Sequence, residues 1–96
     1  MNKSILITGA GGGIGSEIAL QASQQGYKIG LIDLNEKQLR EVGSNIPNSI
    51  VLPADVTDEE SINKALIAFG ETPSALVNCA GIVRFGSLLE QEVKDF

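Results

Sequence analysis

The chain alternates between two kinds of hydrophobic pattern. Short continuous apolar runs, typical of strands buried on both faces of a parallel sheet, occupy residues 4–8, 27–33, 49–52 and 75–77. Between them, apolar positions recur three or four residues apart, which predicts helices over residues 13–25, 36–42 and 58–69. A further helix is predicted to start at residue 87. This alternation predicts an α/β fold with a parallel sheet and right-handed crossovers.

Polar residues and glycines predict where the helices begin and end. Asn35 with Gln38, and Thr57 with Glu60, have the three-residue spacing of a capping box. In that motif the first side chain satisfies a helix N–H group and the second reaches back to the cap residue. Glycines at positions 26, 43 and 70 are expected to end the three helices.

Two of the predicted helices carry an apolar face that bears on packing. On the first helix, the residues expected to pack against the sheet are Ile14, Ile18, Ala19 and Ala22. On the helix from residue 87 they are Leu89, Val93 and Phe96. The pattern stops there without a C-cap signal, so we expect residues 1–96 to form the N-terminal part of one larger domain. An apolar face cut short in this way also favours self-association, which predicts a homo-oligomer.

Composition excludes several classes of function. The chain has 96 residues, 43% of them hydrophobic, and a formal net charge of −5 with scattered acidic residues. That charge argues against a surface for nucleic acid or anionic membranes. A single cysteine and no histidine exclude, within these residues, a disulfide framework, a cysteine-based zinc site and a Ser-His-Asp mechanism. No apolar run is long enough for a signal peptide or a membrane span, so we expect a cytoplasmic protein. We assign no metal ligands.

The strongest chemical signal is a cluster of glycines between the first strand and the first helix. The cluster consists of Gly9, Gly11, Gly12, Gly13 and Gly15. A strand that turns through glycines into a helix leaves helix N–H groups unpaired, and these groups with the helix dipole favour phosphate. The usual G-x-G-x-x-G fingerprint is not met, because Ile14 stands where the third glycine is due. The sequence therefore predicts a pyrophosphate site, with a simple tight turn as the alternative.

An acidic residue at the end of the second strand predicts which dinucleotide this site prefers. Asp33 can accept hydrogen bonds from both hydroxyls of an adenosine ribose, and it would repel a 2′-phosphate. Neither Leu34 nor Gly12 is a cation that could neutralise that phosphate. We therefore expect NAD to be preferred over NADP. The alternative is that Asp33 only caps the following helix, although Asn35 suits that role better.

Two further stretches follow the third and fourth strands. Asp55 and Val56 could contact an adenine, or Asp55 could simply stabilise a turn. The fourth strand ends in Asn78-Cys79-Ala80-Gly81, where open parallel sheets bind ligands and where small residues allow a ribose or nicotinamide to approach. Cys79 itself is expected to be a small apolar filler rather than a reactive group.

Taken together, the chain resembles the N-terminal half of a short-chain dehydrogenase/reductase. The resemblance covers essentially the whole chain and rests on four motifs in the order of the family: Thr8-Gly9-x-x-x-Gly13-Ile14-Gly15, Asp33, Asp55-Val56 and Asn78-Cys79-Ala80-Gly81. The glycines also fit the spacing of the extended, epimerase-like branch of the family. The Asn78-Cys79-Ala80-Gly81 stretch argues against the extended branch. It is similar to the family's N-N-A-G motif, with Cys79 in place of the second asparagine.

The resemblance implies a Rossmann-like three-layer fold with strand order 3-2-1-4 in the part present. It also implies that Gly9, Gly13, Ile14 and Gly15 surround the pyrophosphate and that Asp33 binds the adenine ribose. We also expect Gly12 and Leu34 to belong to this cofactor site. Asp55 and Val56 would lie near the adenine, and the remaining contacts along the cofactor would come from Asn78, Ala80 and Gly81.

The resemblance implies the interconversion of a secondary alcohol and a carbonyl. In that family the proton is relayed from a tyrosine that has a lysine four residues later. The only tyrosine is Tyr27, and Leu31 stands four residues after it. We therefore assign no catalytic residue and expect these residues alone to transfer hydride poorly. The hypotheses are the cofactor-binding half of an NAD(P)-dependent oxidoreductase, a non-catalytic NAD-binding module, or a purely structural α/β domain. Arg84 and Phe85 could border a substrate pocket, but the sequence leaves the substrate open.

Overall fold

The computed structural model describes residues 3–79, in which four strands alternate with three helices. The elements in chain order are β1 (Ser4–Thr8), α1 (Gly13–Gln24), β2 (Lys28–Asp33), α2 (Glu36–Gly43), β3 (Ser49–Pro53), α3 (Glu59–Phe69) and β4 (Ala75–Asn78). The strands form one parallel sheet in the order β3-β2-β1-β4. The predicted α/β fold and the strand order 3-2-1-4 are therefore confirmed. The helix predicted from residue 87, with Leu89, Val93 and Phe96, lies outside the described residues, as do Arg84 and Phe85.

Helices cover both faces of the sheet, which explains why the strands are continuously apolar. Successive residues of a strand point to opposite faces, so Ile5 and Ile7 lie on one side of β1 and Leu6 on the other. The cluster on the side of α1 and α2 contains Ile5, Ile7, Ala10, Ala19, Ala22, Ile29, Leu31, Leu39 and Ile46. The cluster on the side of α3 contains Leu6, Ile32, Leu52, Ala54, Ile62, Ala65 and Phe69.

A glycine in the middle of β2 lets α3 lie close to the sheet. A Cβ atom built on Gly30 would stand 2.5 Å from Leu6 Cδ2 and 2.9 Å from Phe69 Cδ1. Both neighbours are almost completely buried, so neither side chain has free space to move into. The absence of a side chain at Gly30 therefore sets the distance between the two layers.

The structure confirms some of the predicted helix ends. Asn35 is the N-cap of α2, and its Oδ1 accepts a hydrogen bond from Gln38 N at 3.0 Å. The reciprocal half of that capping box does not form, because Asn35 N donates to Asp33 Oδ1 at 3.3 Å. Gly26 and Gly70 follow α1 and α3 with φ of +86° and +87°, as expected for glycines that end helices.

Two predicted helix ends and one packing assignment are wrong. The N-cap of α3 is Asp58 rather than Thr57, whose hydroxyl instead donates to Asp55 Oδ1 at 2.6 Å. Gly43 belongs to α2 itself, and a Cβ there would meet Val51 Cγ2 at 2.8 Å, so packing accounts for this glycine. Ile14 is predicted to face the sheet but is 76% exposed.

Replacing Gly30 with alanine is expected to lower the free energy of unfolding by about 1–3 kcal/mol, because the added methyl group overlaps Leu6 and Phe69. Intrinsic backbone preference acts in the opposite direction, since alanine is favoured over glycine in strands by about 0.5–1 kcal/mol. Urea unfolding of the intact protein measures the balance. Combining Gly30→Ala with Phe69→Leu should cost less than the sum of the two single changes. An unchanged or increased stability for Gly30→Ala would contradict this packing.

Candidate functional site

The sequence-predicted site residues that fall within residues 3–79 lie at one edge of the sheet. Because all four strands are parallel, their carboxyl ends share this edge, which we call the carboxyl edge. The loop from Gly9 to Gly12 leaves β1 there, Asp33 ends β2, and Asn78 ends β4. Asp55 and Val56 follow β3 at the same edge. Of the predicted set, Ala80 and Gly81 lie outside the described residues.

In the loop between β1 and α1, the N–H groups of Ala10, Gly11 and Gly12 each donate a hydrogen bond. Ala10 N donates to Ile32 O at 3.1 Å, and Gly12 N donates to Gly9 O at 3.1 Å. Between them, Gly11 N donates to the Asp33 carboxylate at 2.9 Å. Gly9 has a φ of +69°, a conformation that residues with a side chain rarely adopt. The loop is therefore held in one conformation by its own hydrogen bonds and by the end of β2.

At the start of α1, backbone N–H groups lack hydrogen-bond acceptors among the described residues. Within residues 3–79, no acceptor is present for the N–H groups of Gly13, Ile14 and Gly15. The N-cap residue Gly12 has no side chain to offer, and the first turn contains no acidic residue. In contrast, α2 and α3 have side-chain caps and acidic residues in their first turns. Unpaired N–H groups at a helix start attract anions, so this one is suited to a phosphate.

The glycines at the start of α1 differ in whether the surrounding packing leaves room for a side chain. A Cβ on Gly15 would overlap Gly9 O, so that glycine is needed for α1 to pack on the loop. A Cβ on Gly13 would meet no other group within 4 Å, and one on Gly12 would meet only Gly9 O at 3.5 Å. Packing within the described residues therefore does not require glycine at 12 or 13. The space they leave lies directly beside the unpaired N–H groups.

Two large apolar side chains are exposed next to this loop. Ile14 in the first turn of α1 is 76% exposed, and Leu34 directly after β2 is 72% exposed. Ligand sites typically combine such apolar surface with a few placed polar groups. The carboxyl edge thus offers N–H donors, a carboxylate and apolar surface together.

Asp33 connects the loop with the end of β2. Its Oδ2 accepts from Gly11 N, and its Oδ1 accepts from Asn35 N at 3.3 Å. Asp33 does not cap α2, since Asn35 has that role. The carboxylate therefore faces the glycine loop, and its role toward a ribose stays a prediction.

Asp55 is engaged in a turn of its own. Its Oδ1 accepts hydrogen bonds from Thr57 N at 2.9 Å and from Thr57 Oγ1 at 2.6 Å. The hydroxyl of Thr57, followed by its N–H, lowers the pKa of Asp55 below its ordinary value of 3.8. The neighbouring Val56 packs against the cluster under α3. This is the turn role that sequence analysis left open, and an adenine contact by Asp55 stays a prediction.

Sequence analysis missed the contributions of Thr8 and Gly11. Thr8 is fully buried, and its Oγ1 donates to Asn78 Oδ1 at 2.7 Å. Cys79 N also donates to Thr8 O at 3.1 Å, so Thr8 aligns the ends of β1 and β4. A polar residue at the end of a buried strand was the available signal for Thr8. Gly11 gave no such signal, because its contact with Asp33 depends on strand pairing.

Three further features bear on function, namely the position of the single tyrosine, metal-ligating side chains and membrane-spanning helices. Tyr27 precedes β2 at the opposite edge of the sheet, where the Lys3 ammonium lies 5.7 Å from its ring centre. Residues 3–79 contain no cluster of three or more side chains suited to holding a metal ion. None of the helices in this range has the length and apolar character needed to cross a membrane.

Gly15→Ala is expected to lower the free energy of unfolding by about 1–3 kcal/mol, because its methyl group would overlap the Gly9 carbonyl. The matched control is Gly13→Ala, whose methyl group meets no neighbour. That control should leave stability unchanged or raise it by up to about 1 kcal/mol, since alanine favours helices more than glycine does. Urea unfolding compares the two. Equal losses for both variants would contradict the described packing of α1.

Thr57→Ala is expected to raise the pKa of Asp55 toward its ordinary value of 3.8, because the variant lacks the hydroxyl that contributes most to the shift. A folded-state pKa below the ordinary value means that the turn stabilises the fold above that value. This contribution is lost as the pH falls through the folded pKa. NMR titration of the Asp55 carboxyl carbon measures the shift, and Thr57→Ser should retain it. An identical pKa in Thr57→Ala and the parent protein would show that the hydroxyl has no effect.

Comparison with known proteins shows which family this chain is similar to. A sequence model of the short chain dehydrogenase family matches residues 3–96. An uncharacterized oxidoreductase from Thermotoga maritima is 34% identical, over 98% of this chain and 39% of the relative. The 3-oxoacyl-(acyl-carrier-protein) reductase FabG of Staphylococcus epidermidis is 35% identical, over 100% of this chain and 43% of the relative. The chain thus spans about two-fifths of the length of these relatives.

A solved structure gives the same result for the fold. The crystal structure of the 3-ketoacyl-(acyl-carrier-protein) reductase from Brucella melitensis complexed with NADH superposes with a TM-score of 0.71 and 29% identity. The match covers 77% of this chain and 32% of that one. Since the family match extends over almost the whole chain and the fold agrees, the protein belongs to the short chain dehydrogenase family.

Proposed function

We propose that this chain is the cofactor-binding part of an NAD(H)-dependent oxidoreductase that interconverts a secondary alcohol and a carbonyl. The observation that carries the proposal is the uncapped start of α1, where three N–H groups have no acceptor within residues 3–79 and lie beside glycines that packing there does not require. A second observation supports it, since the Asp33 carboxylate lies against the same loop. The relatives named as an oxidoreductase and as a reductase support the same chemistry. The similar reductase from Brucella melitensis, which was crystallised with NADH, supports it as well.

The residues at the start of α1 fit a dinucleotide pyrophosphate. In this proposal the N–H groups of Gly13, Ile14 and Gly15 donate to phosphate oxygens, and the helix dipole favours their negative charge. Gly9 makes the turn that directs the loop, and Gly12 leaves room for the phosphate. A bound nicotinamide dinucleotide would supply or accept the hydride, while these residues hold it in place.

The charges around Asp33 support NAD over NADP. A carboxylate facing the adenosine ribose can accept its hydroxyls and repels a 2′-phosphate. Neither Leu34 nor Gly12 offers a compensating positive charge. Arg40 on α2 is already paired with Glu36, with 2.7 Å between Nη2 and Oε2.

The remaining site residues complete the proposed cofactor contacts. Asp55 and Val56 would border the adenine, and the other contacts along the cofactor would come from Asn78, Ala80 and Gly81. We assign cofactor binding, and not proton transfer, to these residues. The proposed partners are a small alcohol or carbonyl substrate and further copies of the protein. A cytoplasmic location is proposed from the sequence alone.

Gly13→Asp is expected to separate cofactor binding from stability. The new carboxylate at the start of α1 should strengthen the helix by about 0.3–1 kcal/mol through its dipole. The same charge should weaken NAD⁺ binding by at least about 100-fold, because it lies where the pyrophosphate would bind. Calorimetric titration of the intact protein with NAD⁺ and NADP⁺ measures the affinities, and the parent protein should prefer NAD⁺.

The control for this experiment is Thr72→Asp. It adds the same charge to an exposed residue between α3 and β4, at the opposite edge of the sheet. This variant should bind NAD⁺ as the parent does. If Gly13→Asp also binds NAD⁺ normally, the start of α1 is not the pyrophosphate site. If the parent binds neither dinucleotide, the purely structural alternative is favoured.

A further inference from the structure

The Asp33 carboxylate makes a contact that binding of a ribose does not require. Its Oδ2 lies 2.9 Å from Gly11 N, in the middle of the glycine loop. This approach is possible because residue 11 has no side chain, since a Cβ there would lie 2.9 Å from that oxygen and 3.3 Å from Asp33 Cγ. The loop and the carboxylate therefore fit each other before any ligand is present.

Among the described residues, this contact is the one hydrogen bond that a side chain makes to an N–H group of the Gly9–Gly12 loop. Ala10 N and Gly12 N are both held by backbone carbonyls, which most substitutions would leave in place. The Asp33 side chain is itself fixed by Asn35 N at 3.3 Å. The orientation of the Gly11 peptide thus depends on a single ionisable side chain at the end of β2.

We propose that Asp33 is a positioning residue for the phosphate site as well as a ribose acceptor. By holding the Gly11 peptide, it sets the direction in which the chain enters α1 and aims the N–H groups that follow. The proposal deepens the proposed function, on which it rests for the identity of the ligand. The contact between Asp33 and Gly11, however, belongs to the protein without a ligand.

The double role links cofactor selectivity to phosphate affinity. A carboxylate offers about four acceptor positions, so two N–H donors leave capacity for ribose hydroxyls. A 2′-phosphate would instead repel the carboxylate, and a displaced carboxylate would release the Gly11 peptide. A substitution of Asp33 that removes the repulsion also removes the support of the loop. Asp33→Ala should therefore weaken the binding of both dinucleotides and not convert the preference cleanly to NADP.

Inorganic pyrophosphate is the decisive probe, because it contains no ribose. If Asp33 acts only as a ribose acceptor, Asp33→Ala should leave pyrophosphate binding unchanged or tighten it, since a nearby negative charge has been removed. If Asp33 positions the loop, the same variant should bind pyrophosphate severalfold more weakly. Asp33→Asn keeps one oxygen that can accept from Gly11 N but loses the acceptor for Asn35 N, so it should bind pyrophosphate more tightly than Asp33→Ala does. Glu41→Gln, at an exposed position of the same helix α2, controls for the loss of one negative charge.

Amide hydrogen exchange tests the contact without any ligand. By NMR on the intact protein, exchange at Gly11 should be at least about tenfold faster in Asp33→Ala than in the parent. It should be slower in Asp33→Asn than in Asp33→Ala, and close to parental in Glu41→Gln. Gly11→Ala, which pushes the carboxylate away, should reproduce the weaker pyrophosphate binding. Unchanged Gly11 exchange in Asp33→Ala would overturn the proposal. If the parent binds neither NAD⁺ nor pyrophosphate, the proposed function fails, and the exchange result still decides whether Asp33 holds the loop.

Discussion

The short connection between β1 and α1 is the constraint on which the rest of the site depends. The central strand ends at Thr8, and the helix begins at Gly13. Within that interval the chain must reverse direction without leaving buried polar groups unpaired. It does so through the positive φ of Gly9 and through hydrogen bonds to Ile32 and Asp33 of the neighbouring strand. Once these bonds are made, the N–H groups that open the helix are left without an acceptor in the described part of the chain.

The parallel sheet explains why residues far apart in sequence meet beside this connection. Asp33 ends β2 and Asn78 ends β4, and both strands pair directly with β1. Each neighbour contributes a different group, since β2 brings a carboxylate that accepts from Gly11 in the loop and β4 brings an amide oxygen that accepts from Thr8 at the end of β1.

Much of this arrangement could be predicted from the sequence because it follows from local rules. Buried strands give continuous apolar runs, and glycine is favoured where φ is positive, as at Gly26 and Gly70. The errors arose where one contact competes with another. Thr57 does not cap α3 because its hydroxyl donates to Asp55 in a local turn. Gly43 is needed for the tertiary contact with Val51 and not for a turn. The contact between Gly11 and Asp33 could not be predicted, because it depends on the register of two paired strands.

The central claim is that the opening turn of α1 receives the pyrophosphate of a dinucleotide. The most direct measurement is an NMR titration of the isotopically labelled intact protein with NAD⁺, followed at each backbone amide. The largest changes should fall on the N–H signals of Gly13, Ile14 and Gly15, whereas Tyr27 at the opposite edge should stay unchanged. Changes centred on residues remote from the carboxyl edge, with the signals of α1 unmoved, would contradict the claim.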